Sequence, residues 1–114
     1  MLMGLLDGRR RKHAHDIDVA IPLVKGLLAR MDDSAFPHDQ FPFSASDVND
    51  ILHEAETLRD GLLGGGTPEP SFMRHVQRGC RGCIQALKQT HPNDVIAYLD
   101  TLESVKDRRL IQSM

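Results

Sequence analysis

From Ile17 onward, apolar residues recur three and four positions apart: Ile17, Ile21, Val24, Leu28 and Met31, with Ala20 and Leu27 widening the stripe. That spacing puts them on one face of an α-helix. The helix is expected to start near Asp16 or Asp18. Asp18 is the better cap, because Pro22 then removes only about one backbone bond. A second stripe comprises Val48, Ile51, Leu52, Ala55, Leu58 and Leu62, and its opposite face carries Asp50, His53, Glu54 and Thr57. It follows Ser44-Ala45-Ser46-Asp47, a capping-box spacing of hydroxyl and acid. Gly64-Gly65-Gly66 ends it.

A third helix is expected from Thr67 or Ser71, with Pro68 and Pro70 tolerated in a first turn whose amides have no helical partner. A fourth follows His91, opening on Pro92 or Asn93 and running through Val95, Leu99, Leu102 and Leu110, with Tyr98 and Val105 at its edge. Between the first two helices, Pro37 and Pro42 set a loop that holds Phe36, Phe41 and Phe43. These rings are expected to fold back as a lid over the core. The alternative is an exposed aromatic patch that meets a partner, since contiguous apolar surface marks interaction sites.

No strand pattern or internal repeat interrupts this picture. The expected fold is all-α, a four-helix bundle or orthogonal array over residues 16–114, behind a flexible basic arm at residues 1–15. The 114 residues amount to one domain, able to bury roughly two thirds of its unfolded surface. Leu2, Leu5 and Leu6 of the arm are candidates to dock on a second subunit, and the expected state is a homodimer.

Charge narrows the functions little. The formal net charge is -2, which announces neither nucleic acid nor a membrane surface. One Tyr and no Trp leave few aromatic faces for stacking bases or sugars. Two cysteines do not build a secreted disulfide framework. With no secretory pattern and no membrane-length apolar run, the expected compartment is the cytoplasm.

The chemistry-bearing residues concentrate between Phe72 and Pro92. His75, Cys80, Cys83 and His91 read H-x4-C-x2-C-x7-H, four candidate metal ligands. On a helix at ~100° per residue, His75 points about 140° away from Cys80, so the four converge only if the helix breaks at Gly79 or Gly82. A redox pair would sit at a helix N-terminus after a strand, whereas these cysteines lie well inside a helix. Cys80 and Cys83 instead share the apolar face with Phe72, Val76 and Leu87, as small buried hydrophobes. GGGT at 64–67 lacks the lysine and the preceding strand of a phosphate loop.

What remains is a helix with three faces. Arg74, Arg78, Arg81 and Lys88 form a basic back. His75, Gly79, Gly82 and Ala86 form a narrow strip on which another helix, of this chain or of a second copy, can approach closely. With no catalytic constellation and no cofactor implied, the leading expectation is a non-enzymatic regulator that binds a protein. Its interface would be Phe36, Phe41, Phe43, His75, Gly79, Gly82 and Ala86. A compact helical chain of this kind resembles the bacterial anti-activators, which block a transcription regulator by occupying it; the likeness is one of kind, carried by no motif. Two alternatives stand beside it. One is a nucleic-acid binder using Arg9, Arg10, Arg11 and Lys12 with Arg74, Arg78, Arg81 and Lys88 on phosphates. The other is a metal protein using Cys80 and Cys83.

Overall fold

Helix α1 (Met3–Met31) is the spine against which everything else is laid. A computed structural model describes the backbone of residues 3–114 and the side chains from Gly8 onward. Along that range lie α2 (Ala45–Leu63), α3 (Pro70–Thr90), α4 (Pro92–Thr101) and α5 (Val105–Ser113), with a single 3-10 turn at His38–Gln40. The fold is all-helical among the described residues, with five α-helices where four were expected.

The first difference lies at the N-terminus. Residues 3–15, expected as a flexible arm, continue α1 as helix. Arginine and lysine are good helix formers, and the buried Ala14 carries the apolar stripe one turn back from Ile17. Asp18 therefore caps nothing and Pro22 stands in mid-helix, depriving the Asp18 carbonyl of its amide donor. At the same turn the Tyr98 hydroxyl donates to the Val19 carbonyl at 2.6 Å. Arg59 of α2 meets the Asp18 carboxylate at 2.8 Å. The expected docking of Leu2, Leu5 and Leu6 lies outside the residues whose side chains are described.

The second difference lies at the C-terminus, where the expected fourth helix divides in two. Leu102 to Ser104 are non-helical, and Ser104 caps a new helix by accepting from the Asp107 amide at 3.4 Å. The spacing is that of Ser44 and Asp47 at α2, where the capping box forms in full. The chain turns, and Ile111 enters the core fully buried. From α3, Lys88 donates to the Ile111 carbonyl at 2.7 Å and the Gln112 carbonyl at 3.3 Å, closing the open end of α5.

Between α2 and α3 the three glycines make a Schellman turn. Gly66 donates to the Gly61 carbonyl and Gly65 to that of Leu62, with Gly65 in the left-handed region at φ 84°. This hairpin lays α3 antiparallel to α2. Leu27, Val24, Val48, Ile84, Leu87 and Ile111 form the most deeply buried part of the core. The loop phenylalanines cover one flank of it: Phe36 is 5% exposed, stacks parallel on His91 at 6.3 Å and lies 5.8 Å from Phe41. Phe43 continues the row, 5.5 Å beyond Phe41.

Candidate interaction surface

The α2–α3 seam is closed at one end and open at the other. Gly79 lies against Ile51 of α2. A Cβ at position 79 would overlap Ile51 Cδ1 and stand 2.9 Å from Cγ1. The close helix approach expected at Gly79 is thus made within the chain. Three residues on, a Cβ at Gly82 would meet nothing within 4 Å. Gly82 instead overlooks a groove of about 260 Å³, floored by Phe43, Val48, Ile51, Gly79 and Cys83.

The cause is local. In the antiparallel hairpin, Gly79 pairs with Ile51, so Gly82 falls opposite Asp47 and Val48. Val48 turns inward and is 1% exposed. Asp47 is held back at its own helix end, its carboxylate accepting from the Ser44 amide at 2.8 Å. No side chain is left to fill the space above Gly82.

Charged residues flank the groove on both sides. On α2, Asp47 lines the groove, and Glu54 reaches α3 at His75. On α3, Arg78 lines it from the opposing side, while Arg74 borders a separate hollow with Ser71 and His75. Asp47 and Arg78 both line the groove, yet no ion pair between them closes it among the described residues. His75 Nε2 stands 2.6 Å from Glu54 Oε2, an oxygen sheltered from solvent, and this contact shuts the end of the seam nearer the hairpin turn.

On the far side of α3 lies a second recess of about 250 Å³ against α1 and α5, bounded by His13, Asp16, Ile17, Cys80, Arg81 and Leu110. The two cysteines thus back onto different hollows, yet both are buried and unpaired. Burial pushes the Cys80 thiol up to about 11. Cys83 rises to about 12, from burial and then from its neighbour Cys80. Both stay protonated at neutral pH, and a protonated thiol is a poor nucleophile and metal ligand. Among the described residues no three His, Cys, Asp or Glu side chains gather closely enough to hold a metal ion.

Several expected contact residues are already engaged. Phe36 and Ala86 are covered within the chain, at 5% and 2% exposure. They offer a partner no surface. Lys88 is committed to α5. Arg10 donates to the Thr67 hydroxyl at 3.2 Å, and Arg11 is also engaged. Arg9, Lys12, Arg74, Arg78 and Arg81 are exposed. The α2 contributors Asp47, Val48 and Ile51 were not expected in the site. The only signal for them was their register opposite the α3 glycines, which requires the antiparallel hairpin to be known. No helix among the described residues is long and apolar enough to cross a membrane. Compared with known proteins, the chain matches no family model, no curated protein and no solved structure.

Proposed function

We propose that the protein is a non-enzymatic regulator that binds another protein through the α2–α3 face. The observation that carries this reading is the unfilled apolar groove above Gly82, bordered by charges that have no partner across it. Apolar surface left open between two charged rims is stabilised when a partner covers it, and it offers no group suited to bond-making chemistry. The thiol that lines it, Cys83, is held protonated, which also speaks for binding over catalysis. A regulator of this type acts by occupying its partner's working surface, as an anti-activator occupies a transcription factor.

Gly82→Leu tests the proposal, because leucine fills the groove and suits a helix better than glycine. The variant is expected to keep its melting temperature and to lose the complex that the wild-type chain forms in native lysate, read by size exclusion and mass spectrometry. An intact complex with a well-folded Gly82→Leu chain would remove the groove from the interface.

A further inference from the structure

Resting on that reading, we infer that the groove receives an amphipathic helix of another protein, with an apolar ridge, one acidic edge and one basic edge. The groove runs between two antiparallel helices whose exposed sides are opposite in charge. Asp47 stands on the α2 rim and Arg78 on the α3 rim. Asp47 and Arg78 border the groove from opposite helices, so the two edges of an occupant meet opposite charges. An occupant acidic along both edges would meet Asp47, and one basic along both edges would meet Arg78. Like charges brought together at a contact discriminate strongly between partners.

The floor asks for the same shape. Phe43, Val48, Ile51 and Cys83 form an apolar trough, and the missing side chain at Gly82 gives it depth. A convex ridge of leucine-sized side chains fills such a trough. The same face of a second copy is itself concave, so two copies set face to face would enclose a void.

The charges also determine direction. A helix with acid on one edge and base on the other can lie in the groove only one way round. Exchanging its edges reverses its polarity along the groove and leaves its affinity nearly unchanged.

The probes are three stapled 16-residue helices that share a leucine ridge: one with a glutamate and a lysine edge, one with glutamate on both edges, one with lysine on both. Fluorescence anisotropy is expected to show the two-edged probe binding about tenfold tighter than either single-sign probe, the gap narrowing with salt. A spin label on its N-terminus should broaden amide signals at one end of the groove. It should move to the other end when the edges are exchanged.

Equal affinity for all three probes would overturn the inference and leave the groove a general apolar site. If no probe binds while Gly82→Leu still destroys the native complex, the face is an interface but its occupant is not such a helix. A dimer in sedimentation that Gly82→Leu splits would make the occupant a second copy, which also overturns it. If the native complex survives Gly82→Leu, the underlying proposal falls first.

Discussion

Gly79 and Gly82 lie on the same side of one helix, three residues apart, yet the first is filled by Ile51 and the second faces open space. In sequence they are equivalent members of one strip. In the fold one completes the packing of α2 on α3, and the other leaves a recess. The difference teaches that a small residue records only permission for close approach. What approaches is decided by the residue opposite, here a long branched side chain in one case and a restrained Asp47 in the other.

The largest test of this contrast is Gly79→Leu, which has nowhere to go but into Ile51. It is expected to destabilise the fold by about 3 kcal/mol or more, read by urea denaturation. Gly82→Leu should do no such harm, and equal destabilisation of the two would erase the distinction.

Thiol chemistry tests whether the seam is shut on the core side. With Cys83 raised from 9.0 to about 12, its thiolate population at a given pH is about a thousandfold lower than in an unfolded chain. Iodoacetamide labelling of the native protein, followed by mass spectrometry, should be much slower than that of the unfolded chain. Labelling at the unfolded rate would mean that the groove opens through to the core.

A finer test uses alanine. Gly79→Ala gains helix propensity worth about 1 kcal/mol but collides with Ile51, and overpacking costs about 1–3 kcal/mol, so a net loss is expected. In an Ile51→Ala background the collision is gone and the same change should stabilise. Gly82→Ala should stabilise the wild-type chain by up to about 1 kcal/mol without any second change. A thermodynamic cycle that shows no coupling between positions 51 and 79 would refute the packing account.

The smallest effect lies away from the seam and serves as its control. Arg30 donates to both Asp94 oxygens, at 2.8 and 2.9 Å, and these bonds hold the Asp94 carboxyl below its ordinary 3.8. A depressed carboxyl contributes stability that is present at neutral pH and lost as pH falls through its folded value. Asp94→Asn should therefore lower the melting temperature slightly at pH 7 and flatten its fall in acid. It should leave binding at the groove unchanged.

Much of the helical content was legible because its signals are local. The α2 stripe and its Ser44–Asp47 box lie within a few residues of one another. The box forms in full and Val48, Ala55, Leu58 and Leu62 are buried, whereas Glu54, expected on the opposite face, reaches His75 of α3. The same spacing recurs at Ser104 and Asp107, but Leu102 and Leu110 also fit one continuous helix face, so the sequence alone does not separate α4 from α5. Pro22 misled in the opposite sense. It suggested a helix start, whereas α1 runs through it, with Tyr98 of α4 bonded to the Val19 carbonyl at that turn. That contact spans 79 positions in the chain and no window of sequence contains it.

The sequence by itself determined the helical character of the chain, the Ser44–Asp47 cap, the Gly64–Gly66 turn and the inward placing of Cys80 and Cys83. Periodicity and capping depend on neighbours within about one or two turns, so they are written where they act. Only the tertiary structure decided which residue of α2 stands opposite each residue of α3. That register filled Gly79, left Gly82 open and set an acidic rim facing a basic one. Its physical reason is steric: two helices settle where their side chains interlock, and a groove remains wherever the facing residue is short, turned inward or already bound.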